Sequence, residues 1–255
     1  MFNLLKPKFQ KTSDQIEKII KAGALVSLIK SETKTLMKPG LTGIDVENQA
    51  KLLMAKHGAI SATLNYRGYP SSICVSINEV LVHGIPNNVP FQEGDLVTVD
   101  ISLSLDGYFA DSAYTEVIKK FNNPEDEKLF NASKSALNYA ISLIKPGLKV
   151  RDLGFEIEKY VEQLGFKVSH DFVGHGIGKK LHEDPSIPNF GDKHNKAILE
   201  ENMVICIEPM LLIRNNQIFI DPIDGWTVRS INGKNTVHDE ETILITKEGA
   251  KVLTK

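Results

Sequence analysis

Apolar residues at Ile16, Ile19, Ile20, Leu25, Leu28 and Ile29 recur at helical intervals and predict a first helix. Thr12 and Gln15 have capping-box spacing just before that run, which sets the start near Thr12 or Ser13. "KPG" at 38–40 stops it. A second helix is expected from about Ile44 to His57, ending at Gly58, and a third from Pro124 to about Ile144, with proline in its first turn and a second "KPG" beyond it. From Ile60 to about Tyr114 the pattern is one of strands and loops. Within "LVTVDISLSLDGYFADSA", 96–113, Asp106-Gly107 predicts a two-residue type I′ hairpin turn with Leu105 facing Tyr108. That register puts Ser102 opposite Asp111 and Asp100 opposite Ala113. The two aspartates then share one face as diagonal neighbours, their Cα atoms about 7–8 Å apart, a separation at which they can flank a common ligand. The competing reading makes Leu96, Thr98, Asp100, Ser102 and Ser104 an ordinary solvated face over a core of Val97, Val99, Ile101, Leu103 and Leu105.

A repeat bears on that choice. "KPGLTGID", 38–45, matches "KPGLKVRD", 145–152, and Gly58 keeps the same offset to Gly165. "EGDLVTVD", 93–100, lines up with "ENMVICIE", 201–208, each an alternating apolar strand closed by a carboxylate. The expected fold is α+β: one domain over 13–255 after a lead-in of 1–12, in two pseudo-symmetric halves, about 13–120 and 121–255. Each half contributes helix, helix, then strands to a curved antiparallel sheet backed by helices. Asp100 and Glu208 become mates facing each other across a cleft, which moves the hairpin aspartates from solvent to a shared interior.

Composition narrows the function classes. The 255 residues are 42% hydrophobic and 24% charged with a formal net charge of −2, so a folded globular chain is expected. No basic block interleaves with aromatics, which argues against DNA or an anionic membrane as partner. The two cysteines, Cys74 and Cys206, are too few for a disulfide framework and suit a reducing, cytoplasmic compartment. The first twenty residues show no secretory apolar run, and no stretch approaches the ~18 residues needed to span a bilayer.

Candidate chemistry collects late in the chain. His175 stands between Gly174 and Gly176, a setting that predicts presentation at a loop tip, and His182 follows in "KKLHEDPS". The glycine spacing is no dinucleotide loop, since Pro185 and Pro188 follow where a helix would have to open, and "HEDPS" lacks the second histidine of a zinc-protease helix. Glu208 ends a strand before Pro209, where the backbone is free to bend. "HDEETILIT" places Glu240 and Glu241 at the start of another strand. Alternation puts Glu240 with Thr242 and Leu244, and Glu241 with Ile243 and Ile245, without saying which face lines the cleft; both could equally be edge-strand acids that discourage aggregation.

Asp, a second Asp eleven positions on, then His, Glu and Glu, in that order, together with "GYPSSICVSINEVLVHGIP", "GHGIG", "IEPM" and "DGWTVRS", resembles the type I methionine aminopeptidases from about Thr12 onward. The resemblance implies the pita-bread fold and metal ligands Asp100, Asp111, His175, Glu208 and Glu240, with Glu241 in a supporting or variable position. It implies two divalent cations per chain, with Co, Mn, Fe(II) or Zn the suitable ions. It makes Glu208 the general base and proton shuttle, gives His182 the substrate carbonyl and oxyanion, and sets His83 at the scissile amide nitrogen. Tyr66, Tyr69, Cys74 and Trp226 map to its methionine pocket. The implied reaction is removal of the initiator methionine from nascent proteins and peptides with small second residues, by a water that the ions ionise, in a monomer that touches the ribosome transiently. Two departures touch the pocket, Thr63 where many relatives have cysteine and Leu181 in place of the usual phenylalanine. One extra residue falls between Glu208 and Trp226, near Asn215-Asn216. The competing functions are a catalytically silent peptide or nucleic-acid adaptor on this scaffold, which would have lost ligands and gained basic surface, and a proline-specific aminopeptidase, which usually carries an extra N-terminal domain.

Overall fold

The computed structural model describes residues 9–255, so most of the expected 1–12 lead-in lies outside the described residues. Helix α1, Ser13–Lys34, starts where the capping box puts it: Thr12 Oγ1 accepts from Gln15 N, and the Gln15 side chain accepts from Thr12 N. It stops at Thr35, short of "KPG", where the ladder tightens: the N–H groups of Thr35, Leu36 and Met37 donate three residues back, to the carbonyls of Glu32, Thr33 and Lys34. Helix α2, Gly43–Lys56, carries a second capping box, between Thr42 and Asp45. Helix α3, Pro124–Leu143, begins on an Asn123 cap with proline in its first turn. Helix α4, Val150–Gln163, follows the second "KPG".

The hairpin forms in the expected register. Strands Leu96–Leu105 and Tyr108–Val117 pair from Leu96↔Val117 to Leu105↔Tyr108, with Ser102↔Asp111 and Asp100↔Ala113. Asp106 (φ 51°) and Gly107 (φ 78°) both hold the left-handed backbone that a type I′ turn needs. Cys74–Ile77 adds to the other edge of Leu96–Leu105 with Cys74 opposite Asp100.

The remaining antiparallel strands fall into three further hydrogen-bonded groups. One orders Gly249–Val252, Glu241–Thr246, Val204–Ile207, Gly174–Gly176 and Glu183–Ile187 side by side. Glu241–Thr246 is therefore an interior strand, and the edge-strand reading of its acids is wrong. The chain leaves this group at Pro209 and enters another at Met210–Ile213, between Thr236–His238 and Phe166–Val168.

Helices back both sets of strands. One apolar cluster joins Ala22, Val26 and Ile29 of α1 and Val46 and Ala50 of α2 to Val97, Val99, Ile101 and Leu103, so the alternation in the hairpin does face a core. A second joins Leu129 and Ala136 of α3 and Leu153, Ile157 and Val161 of α4 to Ile205, Ile207 and Ile243. Each fully buried aliphatic side chain contributes about 1.5–3 kcal/mol, which holds the helices on one side and leaves the other side of the strands free to line a cleft. Side chains stitch the two sets together: Thr242 Oγ1 accepts from Asp111 N at 3.1 Å and donates to Asp111 O at 2.7 Å, while Glu240 N donates to Ala113 O at 3.0 Å. That seam lays Glu240 against the hairpin.

Candidate active site

A cleft of about 350 Å³ opens between these elements, and all eleven residues selected from the sequence line it: Asp100, Asp111, His175, Glu208 and Glu240, His83 and His182, and Tyr66, Tyr69, Cys74 and Trp226. Strand register explains the floor. Asp100 and Asp111 are the expected diagonal pair, and Glu208 is the residue after Ile207, which pairs with Glu241, so Glu208 comes beside Glu240. Alternation through 238–242 points His238, Glu240 and Thr242 one way and Asp239 and Glu241 the other.

The acids facing away from the cleft have cations and those facing it do not. Lys134 Nζ reaches Asp239 Oδ1 at 3.0 Å and Lys30 Nζ reaches Glu241 Oε1 at 2.9 Å. Among the described residues no lysine or arginine pairs with Asp100, Asp111, Glu208 or Glu240. Asp111, Glu208 and Glu240 are buried, and Asp100 Oδ1 and Glu240 Oε1 are sealed from solvent with no hydrogen-bond partner. Burial first, then the neighbouring carboxylates, pushes Asp111, Glu208 and Glu240 well above the usual carboxylate range, and burial lifts Asp100 to about 6. Ser102 Oγ, donating to Asp111 Oδ1 at 2.7 Å, gives partial relief.

Such a constellation fits divalent cations. Four ionised carboxylates carry about −4, which two such ions would neutralise, and a buried acid cluster without counter-charge is otherwise costly. The nitrogen donor is ready: burial holds His175 down to about 4, its Nδ1–H donates to Gly176 O at 2.9 Å, and Nε2 is left with its lone pair toward Asp111 Oδ2 (3.9 Å) and Glu208 Oε1 (3.6 Å). An oxygen-rich set with imidazole suits Mn, Fe(II) or Co(II) and admits Zn. Cys206 Sγ also lies within 4.8 Å of ligand atoms of Asp111, His175 and Glu240. It packs at 3.6 Å on Thr242 Oγ1 and belongs to the apolar cluster of Val204 and Leu244 beneath the acids.

His175 is not at a loop tip. It sits in the strand Gly174–Gly176, paired to strands on both sides, and its flanking glycines are extended rather than turning. Their need for no side chain is steric: a Cβ at Gly174 would lie 2.3 Å from Cys206 O, and one at Gly176 2.3 Å from Asp184 O. Close approach of neighbouring backbones, not a sharp bend, explains the "GHG".

Above the floor the wall is aromatic. Tyr69 and Trp226 meet edge to face at 5.3 Å, Tyr69 OH donates to Gly84 O at 2.9 Å, and Cys74 sits opposite Asp100, so this apolar wall adjoins the acids. Phe172, Val82, Met210 and Leu181 complete it. His182 lies at the exposed mouth, its Nδ1 2.9 Å from Tyr66 OH and its ring 4.4 Å from that of His175. His83 holds a left-handed φ of 59°, uncommon for a residue with a side chain, and its ring meets Phe172 at 5.2 Å. Sequence reasoning missed His238, Phe172, Val82 and Met210. For His238 a signal existed, since it shares parity with Glu240.

Comparison with known proteins adds an independent line. Residues 17–247 match the model of metallopeptidase family M24. The chain is 40% identical to a methionine aminopeptidase of Mycoplasma capricolum over 96% of its own length and 97% of the relative's. It is 37% identical to methionine aminopeptidase 1 of Bacillus subtilis over 96% and 98%. Among solved structures, a methionine aminopeptidase from Thermotoga maritima superposes with a TM-score of 0.93 at 38% identity, covering 96% of this chain and 98% of that one.

Proposed function

Since the chain belongs to metallopeptidase family M24, among the type I methionine aminopeptidases, we propose that it removes the initiator methionine from nascent proteins and peptides, with small second residues preferred. The supporting observation is the unbalanced set of inward-facing carboxylates beside an apolar, aromatic pocket. Asp100, Asp111, His175, Glu208 and Glu240 would hold two divalent ions, which supply a Lewis acid for the peptide carbonyl and acidify water near pH 7.

The chain's own groups would then do the following. Glu208, at the junction of the two histidine-facing sides of the cluster, takes the proton from the attacking water and passes it to the leaving amine. His182, held through Tyr66 OH, donates to the carbonyl oxygen as charge develops on it, and His83 contacts the scissile amide nitrogen. Tyr69, Cys74 and Trp226, with Tyr66 at the rim, receive the methionine side chain, whose flexible thioether suits an aromatic wall. The acids at the pocket's end favour a substrate whose α-amino group is free, which makes the enzyme an exopeptidase. The same reading places it in the cytoplasm as a monomer that meets the ribosome transiently. Full retention of the five ligands speaks against the silent adaptor. The test is incubation of metal-loaded protein with Met-Ala-Ser and Ala-Met-Ser, in parallel with Asp111→Asn. Methionine should appear from the first peptide only and not with the variant; equal turnover by the variant refutes the ligand set.

A further inference from the structure

His238 is not among the residues the foregoing reading uses, yet it is built into the floor of the cleft. It is 2% exposed, and both ring nitrogens are sealed from solvent without a hydrogen-bond partner. Its backbone is fixed from two sides, by pairing with Met210 and by Thr115 Oγ1, which donates to His238 O at 3.0 Å and lies 3.2 Å from His238 N. A buried polar group left unmet costs about 1–3 kcal/mol, so a ring held this firmly with neither nitrogen satisfied points to a partner supplied from outside the chain.

The distances identify that partner. His238 Nε2 stands 3.8 Å from Glu208 Oε2 and 3.9 Å from Glu240 Oε2, too far for hydrogen bonds. His175 Nε2 stands 3.6 Å from Glu208 Oε1 and 3.9 Å from Asp111 Oδ2. Glu208 thus turns one oxygen to each imidazole, and His238 relates to Glu208 and Glu240 as His175 relates to Glu208 and Asp111. Donors sharing one cation at bonds of about 2.0–2.2 Å lie roughly 3–3.6 Å apart, so the distances from each imidazole to its two carboxylates need only a small contraction.

We propose that His238 is a further metal ligand, its Nε2 completing the coordination of the ion between Glu208 and Glu240, so that each of the two ions carries one imidazole. The proposal rests on the metal-centre reading above. A second neutral nitrogen adds a donor without adding charge, and it moves the centre toward ions that favour imidazole, Co(II), Fe(II) or Zn, over Mn.

The test uses the full-length protein, stripped of metal and titrated with cobalt(II). Cobalt-edge X-ray absorption should count about one imidazole per ion in the wild type and about half that in His238→Leu, each ion having lost or kept its nitrogen donor. Calorimetric titration should show one of the two cobalt sites weakened by more than about 100-fold in His238→Leu, beyond the 10–100-fold that loss of a merely supporting contact produces. His238→Gln, which keeps a polar side chain, stands in if the leucine variant does not fold, and the wild-type count is informative by itself. An average near half an imidazole in the wild type, or cobalt binding unchanged in a folded variant, overturns the assignment while leaving the metal centre intact. No cobalt uptake by the wild type would overturn both.

Discussion

Lys30 offers a perturbation whose size can be worked from the structure. Its ammonium is buried behind the cleft-facing strand, and its three protons are all used: Ser112 Oγ at 2.7 Å, Glu241 Oε1 at 2.9 Å and Thr254 O at 3.0 Å. Ser112 Oγ also lies 2.5 Å from Glu240 O, so the network backs the strand that presents Glu240. Lys30 is nevertheless pulled below its ordinary value, with burial the largest cause and Glu241 only opposing it, which says that desolvation outweighs the pair's attraction. The pair should therefore be costly to break and cheap to replace. Lys30→Met leaves Glu241 largely buried without its cation. Breaking such a pair costs about 3–5 kcal/mol, and the lower end applies because Glu241 is 15% exposed and keeps Thr254 Oγ1 as a donor. For a chain of this size about 3 kcal/mol corresponds to a Tm lower by roughly 6–12 °C. In Lys30→Met/Glu241→Gln the charge is gone and the amide still accepts from Thr254, so stability should return to within about 1 kcal/mol of wild type. Urea unfolding of the metal-free proteins, followed by circular dichroism, measures both. A single variant costing under about 1 kcal/mol, or a double variant as unstable as the single, refutes the reasoning.

Two further outcomes follow from the same geometry. The metal-free protein should lose stability as pH rises: Asp100, near 6 in the fold, and Asp111, Glu208 and Glu240, higher still, bind protons that the unfolded chain has released above about pH 4, so the fold is favoured in acid and loses that advantage through and above pH 6. Calorimetry of stripped protein between pH 5 and pH 8, on the order of one to two carboxylate titrations apart, should show a falling Tm that metal restores; a rising Tm contradicts it. Gly174→Ala should cost at least about 3 kcal/mol or abolish folding, because its Cβ would sit 2.3 Å from the Cys206 carbonyl, and a variant that melts like wild type would show that the strands separate easily.

What could be read from the sequence was set by local rules. Asp106-Gly107 fixes one turn, the turn fixes every pair of the hairpin, and the hairpin fixes the relation of Asp100 to Asp111. The capping boxes at Thr12 and the proline at the head of α3 act within one helical turn, so those starts are legible too. The repeat carried the argument across the chain, from Asp100 to Glu208. Where the determinant was a neighbouring backbone the reading failed. The glycines around His175 suggest a bend, and only the positions of Cys206 O and Asp184 O reveal that they admit adjoining strands.

The choice between Glu240 and Glu241 marks the boundary most clearly. Alternation divides the two residues but does not rank them, since the strand Glu241–Thr246 is buried on both faces. Rank comes from a charge 211 residues away in sequence: Lys30, the one buried charge on its helix, neutralises Glu241, as Lys134 neutralises Asp239. Of three consecutive acids, the outer two are matched by side chains of the fold and the middle one is left for a ligand. An acid's role here is thus set less by its own surroundings in sequence than by which lysine the tertiary structure withholds. The same logic applies to His238, which shares parity with Glu240 in the sequence but shows as a candidate donor only where the fold leaves both its ring nitrogens without a hydrogen-bond partner in the cleft.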